Sequence, residues 1–245
     1  GNQKNNVVST LEMNTIFNIW NILTPQTKLI QTIDEAEEFA QKNKYPVVLK
    51  ISSPEILHKT ELGAVIPGID NDQLLHGSFA KLQSTIANLE EDIKKTCSII
   101  IQKHIKGKEI IIGIKKDKSF GNVLMIGAGG TLAELISDRN LLIHPFTQSD
   151  IERKVLESKM YKLLSGYRGD KPYAIGSLYD FIKKFIVLTE SIPAFSEIEI
   201  NPVMVTYENS YAVDGRAILA NKIKEPENKS QVSEILNKLK EFSDS

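Results

Sequence analysis

SIIIQKHIKGKEIIIGIKKDKSFGNVLMIGAGG, residues 98–130, holds three apolar runs separated by two turn-rich connectors. Ser98–Gln102, Glu109–Lys115 and Asn122–Ile126 each read as a strand. The connectors, at Lys106-Gly107 and Asp117–Gly121, are short. Parallel neighbours need a crossover of about a dozen residues, so the three strands are expected to pair antiparallel. Gly127-Ala128-Gly129-Gly130 closes the third run. Such a turn can cradle phosphate with its backbone N–H groups. It lacks the Gly-Lys-Ser/Thr ending of a P-loop and the G-x-G-x-x-G spacing.

Towards the N-terminus, the reading is α/β. Residues 1–10 are polar, and a helix is expected from about Leu11 to Ile22, ending before Pro25. Thr32-Ile33-Asp34-Glu35 is a capping box opening a short helix through Ala40. Val47–Ile51 reads as a buried strand, and residues 52–64, without periodicity, as a loop. Leu75, Phe79, Leu82, Ile86, Leu89 and Ile93 recur at alternating steps of four and three. They predict one long amphipathic helix.

Towards the C-terminus, a helix is expected near Thr147, with Asp150 three residues on. Leu178, Phe181, Ile182, Phe185 and Ile186 define another. Glu197–Val205 and Tyr211–Val213 form a late strand pair. Lys222–Lys229 reads as a linker to a last helix with Val232, Ile235, Leu236, Leu239 and Phe242 on one face. The fold class is α+β.

With 41% hydrophobic and 25% charged residues, the composition is that of a globular protein able to bury a core without disulfides or a structural metal. A net charge of −1 argues against a nucleic-acid partner, which calls for a broad basic field. No run approaches the length of a membrane span, and no signal peptide is visible, so the expectation is a cytoplasmic protein with no membrane partner. The single cysteine, Cys97, precedes an apolar run and is expected to be a buried core thiol.

Several residues carry candidate chemistry. Lys50 ends an apolar strand, from which it would either neutralise phosphate oxygens in a cleft or sit solvated. His58 lies in a loop beside Lys59, as polar surface or as a phosphoryl acceptor. An acceptor imidazole needs a carboxylate to hold its second nitrogen and fix the tautomer. Glu199-Ile200-Asn201-Pro202 is the candidate supplier, because strand alternation puts Glu199 and Asn201 on one face. Asp214 follows at the end of the next strand-like run. Oxygen ligands on adjacent strands suit magnesium, which takes one or two protein oxygens and completes its shell with water and phosphate. The alternative is a solvated hairpin face. Glu109, opening its strand, would accept bonds from ribose hydroxyls or be a strand-entry charge.

In this order, the residues resemble a known family. Tyr45-Pro46-Val47-Val48-Leu49-Lys50-Ile51, followed by Ser53-Pro54-Glu55-Ile56-Leu57-His58-Lys59, looks like the signature of the β (ATP-grasp) subunit of ADP-forming acetyl-CoA synthetases. So do Glu109–Asp117, Gly166-Tyr167-Arg168-Gly169, and Glu199-Ile200-Asn201-Pro202 with Val213-Asp214. The resemblance covers about residues 10–220, and more loosely extends to the succinyl-CoA synthetase β subunit.

The resemblance implies an ATP-grasp fold, with two lobes holding a nucleotide in the cleft between them. The lobes are expected at residues 1–102 and 103–221, with residues 222–245 as linker and C-terminal helix. It implies that Lys50 binds phosphates of ATP or ADP, that the backbone of Gln102, Lys103 and His104 reads the adenine edge, and that Glu109 holds the ribose. Asn201 and Asp214 would ligate Mg2+, and His58 would become the phosphohistidine, oriented by Glu199. A CoA-binding α subunit would be the partner, in an α2β2 heterotetramer.

The chain departs from the family pattern twice. Glu199 stands where the family often has Asp. Leu142, three before Pro145, replaces the arginine of the family's Arg-x-x-Pro, with Arg139 three residues earlier. Two other readings have different consequences: a self-contained ATP-grasp carboxylate ligase, which leaves His58 without a role, and a nucleotide-sensing module without turnover.

Overall fold

The computed structural model describes residues 7–56, 62–130, 138–166 and 169–220. The chain opens with β1 (Val7–Val8) and α1 (Thr10–Ile19). Ser9 and Glu12 form a reciprocal capping box at the start of α1, which satisfies donors that a helix end otherwise leaves orphaned. These elements belong to the second of two compact units, which comprises Asn5–Thr24 and Lys106–Ser245; the first is Pro25–Ile105. The expected boundary at residue 102 thus falls at 105, and the N-terminal segment belongs to the second unit. The cause is packing. β1 pairs with the last strand of the chain, and Met13, Ile16 and Phe17 of α1 enter the same core as Ile112, Ile198 and Phe185.

The first unit contains β2 (Thr27–Ile30), α2 (Ile33–Asn43), β3 (Val47–Ser52), β4 (Val65–Ile69), α3 (Asp72–Ala87), α4 (Glu91–Lys94) and β5 (Ser98–Lys103). Its four strands pair antiparallel in the order β2-β5-β3-β4. The Thr32–Glu35 capping box opens α2 as expected. The long helix expected through Ile93 is instead two helices. α3 ends at Asn88, and Glu90 is extended before α4 begins. Leu89 and Ile93 still pack against the core, so the apolar spacing survives the break. Val47, Leu49 and Ile51 face that core with Ile99 and Ile101. Val48, Lys50, Ile100 and Gln102 therefore share the other face.

The second unit continues with β6 (Lys108–Asp117), β7 (Gly121–Ala128), β8 (Arg139–Ile143), α5 (Gln148–Glu157), α6 (Lys159–Leu164), α7 (Ile175–Ser191), β9 (Phe195–Val205), β10 (Ser210–Ala212) and β11 (Gly215–Leu219). Its strands run β1-β11-β9-β6-β7-β8, with β10 on β9, and every pair among the described residues is antiparallel. Ile110, Ile112 and Ile114 put one sheet face into the core with α1 and α7. Residues one position away from those, Glu109, Gly113 and Lys115, lie on the opposite face.

Cys97 is half-buried against the first unit's core and not fully enclosed. Burial pushes its thiol up, partly offset by a hydrogen bond with Ser53. No helix among the described residues is long and apolar enough to cross a membrane. The expected last helix lies outside the described residues.

Candidate functional site

Lys50 sits within β3, not at a solvated end, and is 4% exposed. Its Nζ donates to Gln102 Oε1 at 2.7 Å, and Gln102 Nε2 donates to Thr27 Oγ1 at 3.0 Å. Thr27 Oγ1 in turn donates to the Pro25 carbonyl at 2.9 Å. Gln102 is fully buried.

The segment expected to read adenine follows directly. The Lys103 N–H donates to the Gln26 carbonyl at 2.9 Å, and the His104 N–H to that of Pro46 at 3.2 Å. A purine edge would be met here by carbonyl acceptors and not by those two N–H groups. Lys103 Nζ donates to the Lys44 and Tyr45 carbonyls, at 2.7 and 3.2 Å. Burial lowers its ammonium below the usual lysine range, with Lys44 adding to the effect.

In the second unit, the structure brings together two features that are separate in sequence. Gly129 N–H donates to the Glu109 carbonyl at 2.8 Å. Gly130 has φ +59, and a Cβ there would coincide with Glu109 Oε2. The glycine-rich turn thus lies against the expected ribose-binding carboxylate; Gly130 is favoured by its positive φ, and Gly129 by the Ile110 backbone, 2.8 Å from where a Cβ would sit.

The expected metal ligands also converge. β9 carries a bulge: Ile112 pairs with Ile200 and Ile110 with Val203, so Asn201 and Pro202 together oppose Ile111. The Asn201 N–H donates to the Asp214 carbonyl at 2.9 Å, extending the β9–β11 register by one residue. Thr10, 4% exposed in the first turn of α1, donates from Oγ1 to Asp214 Oδ1 at 2.9 Å. One amide oxygen and one carboxylate fit Mg2+, which completes its shell with water and phosphate. Among the described residues, no cluster of three His, Cys, Asp or Glu is available for a metal that demands more protein ligands.

Glu199 is half-buried on the same strand. It pairs in register with Gly113 on β6 and Arg216 on β11, so all three share a face. Gly113 lies beside it: a Cβ there would be in ordinary van der Waals contact, 3.7 Å from Glu199 Cβ and Cγ. Burial, with help from the neighbouring Glu197, pushes the Glu199 carboxyl up, while Arg216 and Arg139 pull it back. Arg139, in register with Gly127, lies on this face, whereas Leu142 is in the core. The position of the missing family arginine therefore points away from the site, and Arg139 towards it. The Arg216 Nε is buried with no hydrogen-bond partner among the described residues.

His58 lies outside the described residues; nearby, Ile56 and Ser53 are buried. Thr10, Thr27 and Arg216 are absent from the sequence-based site. The alternation of β5 puts Gln102 opposite the core residues Ile99 and Ile101, the one signal that its side chain, and not only its backbone, has work to do.

A model of the ATP-grasp domain matches residues 2–219. The β subunit of acetate–CoA ligase (ADP-forming) I from Pyrococcus furiosus is 35% identical over 208 residues, 85% of this chain and 90% of its own length. Acetate–CoA ligase (ADP-forming) I of Archaeoglobus fulgidus is 34% identical over 199 residues, which are 80% of this chain but 28% of that longer protein. A solved structure of the Ca. Korarchaeum cryptofilum dinucleotide forming acetyl-coenzyme A synthetase 1 matches with TM-score 0.69 at 28% identity, over 86% of this chain and 93% of that one. It is described as a complex with coenzyme A and Mg-AMPPCP, its phosphohistidine segment pointing towards the nucleotide binding site.

Proposed function

Because the chain belongs to the ATP-grasp domain family, we propose that it is the nucleotide-binding subunit or domain of an ADP-forming acyl-CoA synthetase. The overall reaction converts acyl-CoA, ADP and phosphate to a carboxylate, ATP and CoA, reversibly. The step belonging to this chain is phosphoryl transfer between a histidine and ADP. The observation that carries the reading is the meeting of Asn201 and Asp214 on a strand pair that also bears Glu199.

The residues divide the work. Lys50 is the cation for nucleotide phosphates, the Gln102–His104 segment meets adenine through carbonyl groups, and Glu109 takes the ribose hydroxyls. Asn201 and Asp214 would hold Mg2+, which supplies charge neutralisation at the transferring phosphoryl group. His58 is the phosphoryl acceptor. Forming ATP breaks the phosphorus–nitrogen bond of phosphohistidine as a bond forms to a β-phosphate oxygen of ADP. Glu199 holds the proton of the second ring nitrogen and offsets the positive charge that the ring carries while phosphorylated. Arg216 and Arg139 offset part of the rise that burial imposes on the Glu199 carboxyl.

The acyl-phosphate and CoA steps fall to a partner. The Pyrococcus relative is named as a β subunit, and the Archaeoglobus relative carries the matching region within a longer chain. We take the partner to be a CoA-binding α subunit, the assembly to be α2β2, and the setting to be the cytoplasm. The test is mass spectrometry for an acid-labile phosphate on His58 after incubation with Mg-ATP. A phosphate found there, discharged by ADP and absent in His58→Ala, supports the reading. A chain that binds Mg-ATP but never phosphorylates overturns it in favour of nucleotide sensing.

A further inference from the structure

We propose that Arg216 is a further catalytic residue, a guanidinium that holds the oxygens of the phosphoryl group in transit between His58 and ADP. The inference rests on the reading of its sheet face as the place of phosphoryl transfer.

The residues around it decide which way Arg216 points. Gly215 and Ala217 face the core: a Cβ at Gly215 would meet the Phe17 ring at 2.5 Å, and Ala217 is buried in the same cluster as Phe17. Alternation therefore sends the Arg216 side chain to the opposite face. Arg216 pairs in register with Glu199, whose neighbours Ile198 and Ile200 lie in that core. Residues directly opposite in an antiparallel pair have Cβ atoms about 4.5–5.5 Å apart. Arg216 thus shares a face with the carboxylate expected to orient His58. It also lies two residues along the chain from Asp214, an expected metal ligand.

A cation in such a place would ordinarily close on the carboxylate. On the same face, Lys115 and Glu197 do so, at 3.2 Å. Arg216 does not: it acts on the Glu199 carboxyl through its charge and not through a hydrogen bond. Its Nε is buried and meets no hydrogen-bond partner among the described residues. A buried donor left unmet is costly. The half-buried guanidinium is a rigid fork of donors that matches the spacing of phosphate oxygens. The face therefore offers a fixed cation to an oxyanion, and the oxyanion that the chemistry brings there is the transferring phosphoryl group.

The reaction gives the open pair a purpose. In ATP formation, the phosphorus–nitrogen bond of phosphohistidine breaks and its electron pair stays on the ring nitrogen. A β-phosphate oxygen of ADP supplies the pair for the new bond to phosphorus. The outer oxygens stay on phosphorus throughout and carry negative charge. Glu199 answers the positive charge on the ring, and Arg216 the negative charge on those oxygens. A direct bridge between Arg216 and Glu199 would cancel both charges; held apart, each serves one end of the bond that breaks.

The test is calorimetry on the full chain with Mg-ATP and with Mg-ADP, each variant checked by its melting temperature. Arg216→Met should weaken Mg-ATP about tenfold or more, the scale of a lost charge-assisted contact. Mg-ADP should be nearly unaffected, because ADP lacks the group that Arg216 holds. Lys115→Met removes a cation from the same face and should leave both affinities unaltered. With the partner subunit supplied, Arg216→Met should also slow transfer from phosphohistidine to ADP by about 10²–10³-fold, the range for losing one donor to a developing charge. A ratio of Mg-ATP to Mg-ADP affinity that Arg216→Met leaves unchanged overturns the inference. So does an equal loss of Mg-ATP affinity in Lys115→Met, which would reduce the effect to the overall charge of the face. If the unaltered chain binds neither nucleotide, the reading of the face falls and takes the inference with it. Should Arg216→Met fail to fold, Arg216→Gln, which keeps a polar end, decides on the same ratio.

Discussion

The backbone N–H of Asn201 donates to the backbone carbonyl of Asp214 at 2.9 Å, setting an oxygen-bearing residue within β9 beside one just before β11. The bond continues the β9–β11 pairing one residue beyond Gly215 and Ile200, beside the bulge that β9 makes against β6. Both residues lie in the second unit.

Asp214→Asn keeps the size and the backbone contact but removes the charge. The Mg2+ concentration needed for half-maximal ATP binding should rise about 10- to 100-fold, as expected when a charge-assisted interaction of ~1.5–3 kcal/mol is lost. Titration of Mn2+ as a paramagnetic substitute reads the same loss without turnover. An unchanged metal titration would remove Asp214 from the site.

Thr10 tests the contribution of the first helix. Its hydroxyl fixes one carboxylate oxygen of Asp214, and it is buried. Thr10→Val fills the same space without the hydrogen bond. The expected cost is about 1 kcal/mol of stability and a few-fold weaker Mg2+ response. Loss of stability with an unaltered metal titration would make Thr10 a packing residue only.

How much of this was legible follows residue type and range. Capping boxes at Thr32–Glu35 and Thr147–Asp150 were readable because both partners lie within one turn. The short connectors correctly predict the antiparallel pairing of β6 with β7, but the expected pairing of β5 with β6 is wrong: β5 pairs with β2 and β3 in the other sheet, because Ile99 and Ile101 pack into the first unit's core. β4 was hidden because Pro67 and Gly68 interrupt its short apolar run, and β2, β8 and β11 are only four or five residues long. The break after α3 was also invisible, because Leu89 and Ile93 keep the helical spacing on both sides of it. Of the candidate site, Glu199 and Asn201 are readable together because strand alternation puts them on one face, and Asp214 because it ends the next strand-like run. Thr10 is 204 residues from its partner and Gln102 is 52 from Lys50. No periodicity links such pairs; only the completed sheet does.

Gly130 gives a test of the contact between the glycine-rich turn and Glu109. Gly130→Ala adds a left-handed residue, costing about 1–2 kcal/mol, and a methyl group where the Glu109 carboxylate lies. Gly121, with φ +71 and open space around it, is the control. Both alanine variants should lose stability of similar origin, but only Gly130→Ala should weaken adenosine binding, through displaced Glu109. Equal adenosine affinity in the two would separate Glu109 from ribose recognition.

The last prediction concerns Glu199. Phosphoryl transfer through a histidine places positive charge on the ring, and a carboxylate must offset it. Glu199→Gln keeps the length of the side chain and removes that charge. Transfer from phosphohistidine to ADP, measured by rapid quench with the partner subunit supplied, should slow by about 10²–10⁴-fold, the range for losing a positioned acid–base group. Mg-ADP affinity should barely change, because Glu199 acts on the ring and not on the nucleotide. Glu199→Asp should be milder: it retains the charge and loses one methylene, and Gly113 beside it leaves room to adjust. His58→Ala should abolish transfer and leave Mg-ATP affinity nearly unchanged. If Glu199→Gln slows transfer only as much as Glu199→Asp does, the charge is irrelevant and Glu199 is not the residue that orients His58. If His58→Ala still phosphorylates ADP at the unaltered rate, the histidine is a bystander and the phosphohistidine mechanism fails with it.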